Sequence, residues 1–184
     1  MKLLAISGSL RAGSSTSALV RAAARLAPPG VIVDVYDGIG LLPHFSPDLD
    51  TEPLPPTVAT LRAALGASQG LVIATPEYAH GMPGSLKNAL DWLVSATEPV
   101  DMPVLLISAS PGGAVHAHAQ LSEVLLTMNM RLVDGGAHVF SRAKLGPDGE
   151  VNDDALLAAV RRGLAQLCVD SHPLDSHPRF VGPS

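Results

Sequence analysis

Apolar residues in this chain fall into short continuous runs, separated by stretches in which they recur at helical spacing. Lys2–Ser7 is nearly all apolar, as expected of a strand covered on both faces. Leu19, Ala22, Ala23 and Leu26 then form one stripe, which predicts a helix starting near Thr16 and stopping before Pro28-Pro29-Gly30. The β-branched run Val31–Tyr36 predicts a second strand. The alternation continues with a helix carrying Val58, Leu61, Ala64 and Leu65, a third strand at Gly70–Thr75, and a helix carrying Leu86, Ala89, Leu90 and Leu93. Met102–Ser108 predicts a fourth strand, with Pro103 tolerable near its start, and Leu121, Val124, Leu125 and Met128 mark the next helix. Two segments compete for strand five, Arg131–Val133 and Ala137–Phe140, unless both belong to it with a kink at Gly135-Gly136. A last helix aligns Leu157, Val160, Leu164 and Leu167. This order predicts an α/β chain with a doubly wound, five-stranded parallel sheet and helices on both faces.

In such sheets ligands lie beyond the carboxyl ends of the strands. The turns that follow strands one, three and four all fall on that edge, so topology brings them together. The first, Ile6 to Ser17, couples a glycine turn to a helix start, whose free N–H groups and dipole favour an anion. Hydroxyls at Ser9, Ser14, Ser15, Thr16 and Ser17, with the Arg11 guanidinium, suit tetrahedral phosphate oxygens. Gly8 and Gly13 have the glycine spacing of a nucleotide P-loop, but Ser14 stands where its Lys belongs. The turn also lacks Gly-x-Gly-x-x-Gly, so a terminal monophosphate ester fits better than a pyrophosphate. The bland alternative is a serine-rich cap that binds nothing. In the second turn, Pro76 to Gly84, free N–H groups suit a planar heterocycle, and the third, Ala109 to Ala114, lets backbone approach a flat or polyol group. FMN combines a phosphate, a hydroxylated linker and a planar ring.

Gly8-Ser9-Leu10-Arg11 with Ser14, then Pro76-Glu77-Tyr78, then Pro83-Gly84-x-x-Lys87-Asn88-Ala89-x-Asp91-Trp92 resemble the NAD(P)H-dependent FMN reductase family, from about Met1 to Met128. The resemblance implies a flavodoxin-like fold and an enzyme that passes hydride from NADPH or NADH through FMN to an acceptor. Quinones, azo compounds, free flavin and metal oxyanions are the acceptor classes it implies. It further implies that Ser9, Arg11, Ser15, Thr16 and Ser17 hold the FMN phosphate. Pro76, Glu77, Tyr78 and His80 would line the isoalloxazine, and Ser110 with Gly113 would border the ribityl chain or ring edge. A homodimer or homotetramer is implied too. The chain departs from the family's usual Asn at Thr16 and Ala79, and has fewer Gly and Arg residues after Gly113.

Composition narrows the rest. Length (184 residues) and 47% hydrophobic content suit one domain, expected over 1–170, with an aperiodic tail at 171–184 that is disordered or wraps the surface. The net charge of −5 speaks against a nucleic-acid or anionic-membrane partner. The apolar N-terminus ends too early for a leader, no stretch suits a bilayer, and the one cysteine, Cys168, fits a reducing compartment, so a cytoplasmic protein is expected. No metal site is expected, since His116 and His118 leave a helix on different faces. Glu77 is a candidate cap of nearby N–H groups as much as a base. Phe45, in the long loop 37–56, is a candidate loop anchor or ligand cover. Two rival functions remain: a flavin-binding electron carrier without turnover of its own, and, more distantly, a serine hydrolase using Ser9. The low aromatic content of 3% suits an open-faced reductase better than a carrier, and no Gly-x-Ser-x-Gly elbow supports the hydrolase.

Overall fold

The computed structural model describes residues 1–171, so the expected tail lies, but for Ser171, outside the described residues. Five strands, β1 (Lys2–Ser7), β2 (Ile32–Tyr36), β3 (Leu71–Thr75), β4 (Pro103–Ser110) and β5 (Arg131–Val139), form one parallel sheet in the order β2-β1-β3-β4-β5. Between and after them run α1 (Ser15–Arg25), α2 (Pro56–Gly66), α3 (Gly84–Asp91), α4 (Val115–Thr127) and α5 (Asp154–Asp170). This is the doubly wound arrangement that the alternation of runs predicts, and its strand order is the flavodoxin-like one that the resemblance implies.

The period-two geometry of a strand sends alternate residues to opposite faces. Leu3, Ala5, Val72, Leu105 and Ile107 meet Leu19, Ala22 and Ala23 of α1 and Val160, Leu164 and Leu167 of α5. Leu4, Ile6, Leu71, Ile73, Val104 and Leu106 meet Leu61 and Leu65 of α2, Leu86 and Leu90 of α3, and Leu121 and Leu125 of α4. Burial on both faces explains why these strands read as unbroken apolar runs rather than alternating ones. In α5 the packed stripe includes Leu156, with the expected Leu157 half-buried against the same core, and Gly163 lets the helix close on the sheet: a Cβ there would lie 2.4 Å from Leu105 Cδ1.

The C-terminal side of the sheet settles one expected alternative and moves one boundary. The competing segments for the fifth strand are one strand, with a register shift where Leu106 pairs Asp134 and Ser108 pairs Ala137. The extra residue is accommodated at two glycines. A Cβ on Gly135 would stand 2.5 Å from Leu106 O, and Gly136 has φ +85°. Past this bulge, pairing resumes through Ala109 and Ser110, so β4 extends to Ser110 and the third turn is shorter than the sequence suggests.

The long loop 37–56 contains two short 3₁₀ turns, Gly38–Leu41 and Pro47–Leu49. Its anchor is α3. Asn88 Oδ1 accepts from Phe45 N at 2.8 Å, while Asn88 Nδ2 and Trp92 Nε1 both donate to Pro43 O, at 3.0 and 2.8 Å. Phe45 packs edge-on against the fully buried Trp92, with ring centroids 5.1 Å apart. Phe45 is therefore a loop anchor, and Trp92 belongs to the core. Arg62 closes the other side, donating to Trp92 O and pairing with Asp50 at 2.8 Å.

Candidate functional site

The turn after β1 is held by hydroxyls. Ser14 is the N-cap of α1: its backbone is extended, and its Oγ accepts from Thr16 N at 3.2 Å. That geometry turns Thr16 inward. Its hydroxyl is fully buried, bonded to Ser14 Oγ at 2.8 Å and to Ser7 Oγ at 3.1 Å. Ser17 donates to the same Ser7 hydroxyl at 3.1 Å. Above this layer, Ser9 Oγ accepts from the Arg11 amide at 3.3 Å, and Ser14 N donates to Arg11 O at 3.1 Å. The turn closes at Gly13, whose φ of +65° is a left-handed conformation that suits glycine.

The second turn is tied to the third by one carboxylate. Glu77 Oε2 accepts from His116 N at 2.8 Å and Ala117 N at 3.0 Å, capping the start of α4 from across the site. These amide bonds, that of Ala117 foremost, hold the Glu77 carboxyl below its ordinary pKa. Gln120 Oε1 accepts from Met82 N at 2.9 Å, and Tyr78 and Gly81 exchange backbone hydrogen bonds of 2.9 and 3.0 Å. His80 stacks on His116, ring centroids 4.3 Å apart.

Between these turns lies a cavity of about 310 Å³. Of the residues expected at the site, Ser9, Arg11, Ser15, Pro76, Glu77, Tyr78 and Ser110 line it. The other four lie elsewhere. Thr16 sits beneath the turn, and Ser17 faces a neighbouring cleft with Tyr36 and Asp37. His80 is on the outer rim against His116, and Gly113, with φ +96°, lies behind the wall near Val139. Tyr78 bridges the two ends of the cavity, its hydroxyl 3.2 Å from Ser9 Oγ.

Sequence reasoning missed Ser141 and Arg142, which follow β5 and complete the wall beside Ser14 and Ser15. Their position depends on the bulged fifth strand and on the bond from Phe140 N to Ser110 O at 2.9 Å, a contact 30 residues apart in sequence. Only a basic residue just past a strand end signalled them.

The chemistry of the lining is polarised. One end offers two guanidiniums and the hydroxyls of Ser9, Ser14 and Ser15. The lining carboxylate, Glu77, is already engaged by the α4 amides. This donor set suits a phosphate monoester, and the opposite end, with Pro76, Tyr78, Ala109 and Pro111, suits the flat ring of a flavin. It does not suit ester hydrolysis: the Ser9 hydroxyl pairs with Tyr78. A Ser-His-Asp series does exist, with His118 Nδ1 3.0 Å from Ser108 Oγ and Nε2 3.1 Å from Asp134 Oδ1. Its serine is fully buried, where no substrate carbonyl reaches it.

A parallel α/β sheet with an open cavity at its carboxyl edge is the arrangement in which nucleotide-like ligands are bound. The chain matches the NADPH-dependent FMN reductase family over residues 1–144. It belongs to that family, and is an FMN-dependent oxidoreductase drawing electrons from NAD(P)H. It is 33% identical to an NAD(P)H-dependent FMN reductase of Pseudomonas aeruginosa, across 91% of this chain and 93% of the relative. It is 30% identical to a quinone reductase of Escherichia coli, across 73% of this chain and 74% of that one. Among solved structures it is similar to FerB, a flavoenzyme NAD(P)H:(acceptor) oxidoreductase of Paracoccus denitrificans, with a TM-score of 0.79 at 27% identity. That match covers 92% of this chain and 98% of FerB.

Proposed function

We propose that the chain is a reductase of small planar two-electron acceptors, quinones first among them, and that the cavity at the carboxyl edge is its FMN site. The observation that carries this reading is the make-up of that cavity: cations and hydroxyls from the first turn and Arg142, with Pro76, Tyr78, Ala109 and Pro111 from the other two turns. Arg11, Ser9 and Ser15 hold the phosphate there, with the leading amides of α1. Ser14 fixes the helix start, and Thr16 and Ser17 support the layer below it. Pro76, Glu77, Tyr78 and Ser110 border the ring, while His80 stacks on His116 beyond them and Gly113 supports the third turn from behind.

When bound, FMN supplies the hydride chemistry, accepting from NAD(P)H and delivering to the acceptor. The protein's own part is to bind, orient and leave one side accessible. Tyr78, which lines the cavity, keeps 51% of its surface exposed, an open aromatic edge suited to flat partners that bind in turn. No side chain is assigned as acid or base. The quinone preference rests on this edge and on the quinone reductase among the relatives.

The reading extends to assembly and location. Leu41, Leu49, Val94 and Val100 are exposed on the loop 37–56 and just beyond α3, an apolar surface that suits a homodimer or homotetramer. Among the described residues no helix is long and apolar enough to cross a membrane. A cytoplasmic setting fits the single cysteine.

The visible spectrum of the purified protein tests the site. Oxidised-flavin bands, released on denaturation and identified as FMN, are expected, together with steady oxidation of NAD(P)H in the presence of menadione. Failure to take up FMN at saturating concentration overturns the site. FMN uptake without turnover of any quinone overturns the acceptor class and favours the electron carrier.

A further inference from the structure

Arg11 and Arg142 come from opposite ends of the sequence and line the same cavity. Neither joins an ion pair among the described residues, whereas Arg21, Arg25, Arg62 and Arg131 all do. Two guanidiniums facing one cavity repel unless an anion lies between them. The segment that presents Arg142 is fastened on several sides. Lys144 Nζ donates to Asp153 Oδ2 at 2.7 Å and to Val139 O at 3.2 Å, and Asn152 N donates to Lys144 O at 2.8 Å. That Lys144 contact, with the Leu156 amide, keeps the Asp153 carboxyl below its ordinary pKa, so the fastening is charged at neutral pH.

The Arg142 side chain reaches the phosphate turn at Gly13. A Cβ built there would lie 3.8 Å from Arg142 Nη2, so the guanidinium stands over the tip of the phosphate turn. Gly13 is left-handed, with φ +65°, a conformation that suits glycine. Ser14 and Ser15 line the cavity beside it.

We propose that Arg142 is a second guanidinium for a phosphate monoester, closing the cavity from the side opposite Arg11, and that the monoester is that of FMN. This rests on the FMN reading of the cavity. The same chemistry occurs in the 2′-phosphate of NADPH, but the position over Gly13, at the start of α1, assigns Arg142 to the flavin. A planar fork is the right donor for adjacent phosphate oxygens, and an ammonium replaces only part of it.

Binding to apoprotein separates the possibilities. FMN and riboflavin, which differ by the phosphate alone, are titrated against wild type, Arg142→Ala and Arg142→Lys by quenching of flavin fluorescence. Arg142→Ala is expected to weaken FMN about tenfold and to leave riboflavin within about twofold, with Arg142→Lys in between. The dependence of FMN affinity on salt should also become shallower in Arg142→Ala. Unchanged thermal unfolding of the apoprotein checks that both variants are folded. An equal loss for both ligands overturns the proposal, because Arg142 then acts only on the wall. Unchanged FMN affinity, with KM for NADPH raised relative to NADH, also overturns it and reassigns the residue to the nicotinamide cofactor. Wild-type protein that takes up no FMN removes the site and the proposal together; FMN uptake without an Arg142 effect removes the proposal alone.

Discussion

The two ends of the cavity are built by different means. At the phosphate end, the left-handed position is a glycine, Gly13, and the layer beneath is a set of mutually bonded hydroxyls on Ser7, Ser14, Thr16 and Ser17. At the ring end, left-handed positions fall on Ala79, His80 and Ala114 as well as on Gly113, and one carboxylate with one amide side chain ties the second turn to α4. The first end grows from a strand and a helix packed in the core. The second also leaves a core strand, β3, and enters a packed helix, α3, and is tied in addition to α4 by these long-range bonds. On the proposed reading, the FMN phosphate meets the end built on Gly13 and its hydroxyl layer, and the ring meets the end that Glu77 and Gln120 tie to α4.

Arg11→Ala should show the largest effect. Losing a charge-assisted contact to the phosphate is expected to cost about 2 kcal/mol of FMN binding, with riboflavin affinity nearly unchanged. Equal losses for the two ligands, measured by fluorescence titration, would erase the division between the ends.

Thr16→Val sharpens the same end from below. The variant removes a buried hydroxyl and deprives Ser7 and Ser14 of a partner, so folding stability should fall by about 1–2 kcal/mol in chemical denaturation. FMN affinity should change less than in Arg11→Ala, because the hydroxyl supports the turn without lining the cavity. A larger loss of FMN than of stability would restore Thr16 as a direct phosphate ligand.

Glu77→Gln addresses the ring end. FMN and riboflavin should both weaken, in similar proportion and by less than FMN does in Arg11→Ala, since the variant loosens the turn and spares the phosphate contacts. The pH dependence has a definite sign. The folded carboxyl is held below its ordinary pKa by the Ala117 and His116 amides. Its contribution to stability is therefore complete above the ordinary glutamate pKa and is lost as pH falls through the depressed value. The gap in Tm between wild type and Glu77→Gln should narrow on acidification through that range. A gap independent of pH would show that the charge is not what joins the turns.

The two ends also differ in how much of them the sequence revealed. Continuous apolar runs and helical stripes depend on local order, so the strands, their parallel arrangement and the convergence of three turns were legible. So was the crowding of Ser9, Arg11 and Ser15, which are neighbours along the chain. The roles of Ser14 and Thr16 were not separable, because a shift of the helix start by one residue decides which hydroxyl caps and which is buried. Ser141 and Arg142 were hidden for a different reason. They reach the cavity only after β5 absorbs one extra residue at Gly135-Gly136 and returns to pair with Ser110. Nothing adjacent in sequence encodes that return, nor the stacking of His80 on His116.

Ala79→Gly should have the smallest effect and probes the comparison most directly. Ala79 and His80, with φ of 49° and 59°, occupy the two central positions of a tight turn closed by Tyr78 and Gly81. Positive φ at both positions is the geometry for which Asn-Gly is preferred, because a Cβ there crowds the following carbonyl. Glycine relieves that crowding but widens the unfolded ensemble, and the two contributions oppose each other. The crowding is the larger, so the variant is expected to gain about 0.5 kcal/mol in thermal unfolding of the apoprotein. The relaxed turn should then hold the flavin ring slightly less well, lowering affinity for FMN and riboflavin together. A fall in stability would mean that the Ala79 side chain contributes packing that outweighs the crowding. A loss confined to FMN would mean that this turn senses the phosphate, and the separation of the two ends would no longer stand.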